Sequence, residues 1–178
     1  MVLAWGESHV SGLFESVADL QEGEGILQRR RYGVIEAERQ EFRQVRLRPF
    51  PKLVFLPEIM WFGEWQHSHR AGDRCLLYFN QPWRYRNYLA VTYMVSARDT
   101  TLATVYRALE ALDEVARIKG TDALLCDAAN WRLSPAILGR LGWEPHCPSR
   151  WHRHYVKRFY GSYPPRPGWA ATLSRNVR

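Results

Sequence analysis

The sequence predicts an α/β domain, a mixed sheet flanked by helices on both faces, and three observations carry that expectation. The run from Tyr88 to Val95 is apolar in both parities, with Leu89, Val91, Tyr93 and Val95 on one side and Tyr88, Ala90 and Met94 on the other. A strand of that kind is covered on both faces. After it, Leu102, Val105, Leu109, Leu112 and Ala116 recur in steps of three and four and so form one apolar stripe on a helix. A second apolar run, Ala123 to Cys126, then gives way to a short helical segment and two further strands. Strands interleaved with helices call for at least one parallel crossover.

Taken in order, His9 to Leu20 places Val10, Leu13, Phe14, Val17 and Leu20 at helical spacing, with Ser8 or Ser11 as caps, and predicts an amphipathic helix. The segment from Gln21 to Gly25 breaks it, and the basic triplet Arg29, Arg30 and Arg31 follows. Between Glu41 and Arg48, Val45 and Leu47 alternate with Arg46 and Arg48, the pattern of a half-exposed strand that Pro51 ends. Leu53 to Leu56 is a short strand or loop anchor, and Pro57 starts a helical turn that brings Ile59, Phe62 and Trp65 near one another. Cys75 to Phe79 is a further strand, closed by Asn80, Gln81 and Pro82.

The helix after Val95 has Asp99, Thr100 or Thr101 to cap its start and Gly120 for a left-handed end. The short helix runs from about Pro135 to Leu141, and the last strands are Trp143 to His146 and His152 to Tyr160. From Gly161 to Gly168 three prolines and two glycines forbid either regular structure, so the tail wraps the surface or is mobile. The expected organisation is a single domain over residues 1–160, with a helix and basic segment in 1–40 and the sheet and helices in 41–160, followed by a Pro/Gly-rich tail, 161–178. There is no internal repeat.

At 178 residues, with 46% hydrophobic and 24% charged residues, the chain has the length and balance of one globular domain rather than a disordered segment. Eight tryptophans and nine tyrosines point to aromatic-rich packing or an apolar cleft. A net charge of +7 and a pI near 9.6 favour an anionic partner: a phosphate-bearing cofactor, nucleic acid or a membrane surface. Cys75, Cys126 and Cys147 are an odd number at no metal-like spacing, which predicts free thiols in a reducing compartment. The first residues are too short and too soon acidic for a signal peptide, and no run of eighteen apolar residues could span a bilayer. The expected location is cytoplasmic.

The succession of strand, capped helix, strand ending near Asn130, short helix, then Leu141, Gly142, Trp143, Glu144 and Pro145 resembles the second half of the GNAT superfamily of acyl-CoA-dependent N-acyltransferases. The resemblance covers about Tyr85 to Tyr160. It implies that acetyl-CoA or another acyl-CoA lies between two splayed central strands, its pyrophosphate held by backbone amides at the start of the helix after the first. A helix N-terminus offers unpaired N–H groups and a positive dipole to a phosphate whatever the family. The family's phosphate motif, Arg or Gln followed by two small residues at fixed spacing, falls on Arg98, Thr101 and Ala103, with Leu102 between them. Thr101 stands where the motif has Gly, and Asp99 adds a negative charge beside it. The resemblance further implies that the backbone near Val95 aligns the acyl carbonyl, that Asn130 meets the pantetheine, and that an amine is the acceptor. Leu138 occupies the position of the tyrosine that often protonates the leaving thiolate in this family. Glu64, His67 and His69 are the candidates for the base.

Two His-X-His pairs, His67 with His69 and His152 with His154, would project to one face if each lay on a strand, but no acidic partner stands at a recognisable spacing, and no metal site is expected. A rival function is nucleic-acid binding. Arg29 to Arg31, then Arg43, Arg46, Arg48 and Lys52, then Arg150, Arg153, Lys157 and Arg158 mix with Trp151, Tyr155 and Phe159, as phosphate contact and base stacking require. The rival needs those charges gathered on one face. Serine-hydrolase, Walker-loop and zinc-ribbon motifs are absent from the sequence.

Overall fold

The computed structural model describes residues 14–50, 72–127, 134–147 and 153–172. In chain order the elements are β1 (Glu15–Val17), α1 (Glu24–Arg29), β2 (Tyr32–Glu38), β3 (Glu41–Arg48), β4 (Arg74–Asn80), β5 (Tyr88–Ser96), α2 (Leu102–Lys119), β6 (Ala123–Asp127), α3 (Pro135–Arg140), β7 (Glu144–Pro145), β8 (His154–Arg158) and α4 (Gly168–Thr172). The eight strands form one sheet in the order β1-β3-β2-β4-β5-β6-β8-β7. Every neighbouring pair is antiparallel except β5 and β6, which are parallel and joined by α2 as their crossover. The sheet is thus mixed, in an α/β arrangement.

α2 forms where the apolar stripe and both caps coincide. The Thr101 hydroxyl accepts the Thr104 N–H at 3.3 Å, and Gly120 closes the helix at φ 63, donating to Ala116 and Arg117. Val105, Ala108, Leu109, Leu112, Val115 and Ala116 are buried against one face of the sheet, where Ile35, Val45, Leu47, Leu77, Phe79, Leu89 and Leu124 lie. Each fully buried leucine there contributes roughly 1.5–3 kcal/mol. A Cβ on Gly33 would collide with the Phe79 ring, so this strand position admits only glycine.

The N-terminal expectations are corrected. Over the described residues the helix expected from His9 to Leu20 is instead β1 and a turn, and residues 1–13 lie outside the described part. Val17 pairs with Val45 across β1 and β3, and Asp19 accepts the N–H groups of Gln21 and Glu22 at 2.8 and 3.3 Å. A side chain that bonds the backbone two and three residues ahead competes with the helix. The segment from Gln21 to Gly25 does not only interrupt: α1 begins inside it and buries Leu27, while Gly23 packs directly on Val17. β2 had no counterpart among the expected strands. β3, β4, β5, α2, β6, α3, β7 and β8 lie where the sequence placed them, within a residue or two at their ends, whereas α4 forms inside the tail, where no helix was expected. The expected helical turn after Pro57 lies outside the described residues.

The described helices share one face. α1 packs on α2, Leu138 of α3 joins the same core, and Trp169 of α4 stacks on Phe42 of β3 at 4.9 Å. The second helical layer expected from the sequence has no member among the described residues. The tail wraps this helical face: Tyr163 lies 4.8 Å from the Phe159 ring and donates to the Thr121 carbonyl at 2.9 Å, and the Trp169 indole N–H donates to Glu110 at 3.1 Å. All three cysteines are free, and no described helix is long and apolar enough to cross a membrane.

Candidate functional site

The central feature is a bulge in β5. Opposite β4, Tyr78 pairs with Tyr93 and Phe79 with Val91, so Thr92 has no partner of its own, and its hydroxyl donates to the Tyr78 carbonyl at 3.3 Å. An extra residue inverts the side-chain alternation beyond it. Leu89 and Val91 therefore share the helical face with Met94 and Ser96, whereas Ala90, Tyr93 and Val95 share the opposite face. This corrects the expected grouping of Leu89, Val91, Tyr93 and Val95 on one side, which assumed an unbroken period of two.

The parallel ladder stops at the same place. β5 and β6 pair from Tyr88↔Ala123 to Val91↔Cys126 and no further, although β5 continues to Ser96 and β6 to Asp127. Over its last residues β5 remains paired with β4, and β6 with β8 through Asp127↔His154. The ladder between the two central strands thus ends just after Val91, beside the bulge in β5 and one residue before β6 ends at Asp127.

Of the residues singled out in the sequence, Val95, Arg98, Asp99, Thr101, Leu102, Ala103 and Leu138 are among those described. Val95 lies on the face opposite the helices, paired with Leu76. Arg98 and Asp99 sit exposed in the turn from Ala97 to Thr100, closed by the Thr100 N–H on the Ala97 carbonyl at 3.2 Å. Thr101, Leu102 and Ala103 form the exposed start of α2. Asn130, Glu64, His67, His69 and His152 lie outside the described residues. Leu138 is 2% exposed and belongs to the core, with no proton to offer.

The sequence reading missed Asp73 at the mouth of α2. Its Oδ1 accepts the Thr101 N–H at 2.9 Å and its Oδ2 the Thr101 hydroxyl at 3.0 Å. Slight burial pushes this carboxyl up, but bonds from Thr104 and from the Thr101 amide and hydroxyl outweigh it and hold the group below the usual carboxylate range. Beside it the Thr104 hydroxyl accepts the Gln40 N–H at 2.8 Å. The N–H groups of Leu102 and Ala103 have no hydrogen-bond partner among the described residues. One carboxylate of the chain thus occupies part of the N-terminus of α2. The spacing of 28 residues hid the pairing; the only signal was an acidic residue just ahead of a strand.

Glu36 was missed as well. It is buried on the sheet face opposite the helices, where it meets Arg74, accepts from Gln44 at 3.0 Å and lies 3.6 Å from Arg46. Burial raises its pKa, yet the Gln44 bond and the charges of Arg74 and Arg46 bring it below the ordinary value. A carboxylate held charged by two guanidiniums is a poor base at neutral pH and fixes the sheet face instead. The tyrosine rings of Tyr78 and Tyr93, 5.7 Å apart, sit on the same face.

Among the described residues no three His, Cys, Asp or Glu side chains gather as a metal site. His146 and His154 come together through their backbones, at 2.8 Å, and His146 Nε2 lies 3.4 Å from the Cys147 sulfur. Many of the cations grouped in the sequence are in ion pairs: Arg30 with Glu15, Arg43 with Glu41, Arg46 and Arg74 with Glu36, Lys157 with Asp113 and Arg158 with Glu144. Lys52, Arg150 and Trp151 lie outside the described residues.

No family model matches the chain, and no curated protein matches it. Among solved structures, the crystal structure of nourseothricin acetyltransferase is similar over 82% of this chain and 98% of that one, at 15% sequence identity and a TM-score of 0.39.

Proposed function

We propose that this chain is a diverged GNAT-like N-acyltransferase that holds acyl-CoA, acetyl-CoA or a longer thioester, where β5 and β6 part, and passes the acyl group to an amine. What supports the reading is one observation: the β5–β6 ladder ends at Val91↔Cys126, beside the Thr92 bulge, while β5 continues five residues to Ser96 and β6 one residue to Asp127. In this reading the amine nitrogen forms a bond to the thioester carbon, the carbon–sulfur bond breaks, the electron pair leaves on the CoA sulfur, and the amine gives its proton to a base. The backbone near Val95 aligns the carbonyl. Arg98 and the start of α2, Thr101, Leu102 and Ala103, are the residues assigned to the diphosphate, and Asn130, outside the described residues, is the one the resemblance assigns to the pantetheine.

The fit is uneven. The parted strands suit an extended arm, but Asp73 keeps the Thr101 amide and places a negative charge beside the diphosphate. Weak binding follows, and Asp73→Asn, which removes the charge and retains an oxygen acceptor, tightens it. That same carboxylate favours a second reading, a relative of this fold that binds without transferring.

A thermal-shift titration with acetyl-CoA and longer acyl-CoAs, on the native chain and on Asp73→Asn, tests this. A ligand at a hundred times its Kd stabilises the fold by about 2.7 kcal/mol. The expected result is a rise with acyl-CoA that is larger in the variant; midpoints unmoved in both contradict the proposal. A rise without release of free thiol in the presence of amines decides for the second reading.

A further inference from the structure

We propose that the end of the sheet remote from the start of α2 binds single-stranded nucleic acid through exposed aromatic rings interleaved with arginines. The platform is the loop between β4 and β5, Trp83, Arg84, Tyr85 and Arg86, set beside Arg31 and the end of α2. Trp83 is 73% exposed and Tyr85 62%. Tyr160, 74% exposed, reaches the same end, since its N–H and that of Phe159 donate to the Asp122 carbonyl while the Asp122 N–H donates to Asn87. The Arg31 guanidinium lies 3.7 Å above the Trp83 ring.

The arginines of this region lack acidic partners. Arg29, Arg31, Arg84 and Arg86 have no carboxylate at ion-pair distance among the described residues, a state they share with Arg48, Arg98 and Arg140, whereas Arg43, Arg46, Arg107, Arg117, Lys157 and Arg158 are paired. Arg31 Nη1 is buried with no hydrogen-bond partner. Lys119 adds a further positive charge, which burial and the Arg31 charge together push down to about 8. Asp122, bonded to Asn87 at 3.0 Å, is the acidic group at the edge of the patch.

The loop is held in place before any ligand arrives. Buried Gln81 donates its N–H to the Arg31 carbonyl at 2.9 Å and its side-chain amide to the Arg86 carbonyl at 2.6 Å, and accepts Lys119 Nζ at 3.1 Å. Exposed rings stack on unpaired bases, which a duplex hides, and the arginines between them meet the phosphates. At about 3.3 Å per residue, Val91 lies roughly 10 Å along β5 from Tyr88 and Ser96 roughly 26 Å, so this surface stands at the opposite end of β5 from the start of α2.

The test is fluorescence anisotropy of a labelled oligothymidylate over a range of salt, with unlabelled heparin and anionic phospholipid vesicles as competitors. Native protein is expected to bind with an affinity that falls steeply as salt rises. The double variant Trp83→Ala/Tyr85→Ala loses tenfold or more in affinity with the salt slope retained. Arg84→Ala/Arg86→Ala flattens the slope, and Arg140→Ala, an exposed arginine on α3, leaves both unchanged; thermal midpoints confirm that each variant is folded. Absence of binding at low salt, affinity indifferent to Trp83 and Tyr85, or equal loss from Arg140→Ala overturns the proposal. So does preferential capture by heparin or vesicles, which lack bases.

Discussion

Glu36 shows how one side chain can hold a sheet face together. Without it, Arg74 and Arg46 would lose the buried carboxylate they share, and Glu36→Ala is expected to destabilise the fold by about 1–3 kcal/mol, read from urea midpoints. Its effect depends on pH with a definite sign. The folded state lowers the carboxyl's pKa, so the stabilisation is fully present above the unfolded value near 4.5 and is lost as pH falls through the lower folded value. Urea midpoints from pH 7 to 3 should therefore converge for the native chain and Glu36→Gln at the acid end and diverge above about pH 5. A constant gap would contradict that account. Asp73 is the other residue whose partner the sequence concealed. In both cases the chemistry is a carboxylate among apolar or turn residues, and its purpose emerges only when distant strands bring the donors.

At the scale of elements, the strongest local patterns were legible. α2 has its stripe and both caps written out between Thr101 and Gly120, and Glu41 to Arg48 alternates as β3 does. Short-range bonding hid the rest: Asp19 diverts a helical spacing into a turn, and β2 is so fully buried that it lacks alternation. The bulge at Thr92 was illegible because threonine suits any strand position, and register is fixed only by pairing with β4. The turn between β2 and β3 carries a local conflict of its own. Arg39 and Gln40 sit at φ 51 and 67, left-handed conformations that suit asparagine and glycine. Bonds from Arg39 N–H to the Asp73 carbonyl, from Gln40 N–H to Thr104 and from Arg107 to the Gln40 carbonyl keep them there. The double substitution Arg39→Asn/Gln40→Gly keeps those backbone bonds and is expected to raise stability by about 1 kcal/mol, as a shift of the thermal midpoint upward. A fall would mean that the two native side chains do more than fill the turn.

The whole molecule is a sheet whose two ends differ. At one end α2 begins, β5 and β6 part, and Asp73 stands at the mouth; at the other, rings and unpaired arginines crowd round Gln81. Across the helical face the tail acts as a clasp, with Arg117 and Arg166 both on buried Glu114 and Trp169 on Phe42. Its prolines made it legible as irregular but not as a packed segment, because Phe42 and Glu110 lie far away in sequence. Truncation after Tyr160 is expected to lower the thermal midpoint, and Trp169→Ala alone to cost roughly 1–3 kcal/mol, with unchanged stability telling against the clasp. The central claim concerns the other region, the carrier site where the strands part. Amide chemical shifts of the nitrogen-15-labelled protein, followed while acetyl-CoA is added, test it most directly. The account predicts that the amides from Thr92 to Val95 and from Thr101 to Ala103 move together and saturate, while those from Trp83 to Asn87 stay still; saturating acetyl-CoA that leaves the first two groups unmoved would contradict it.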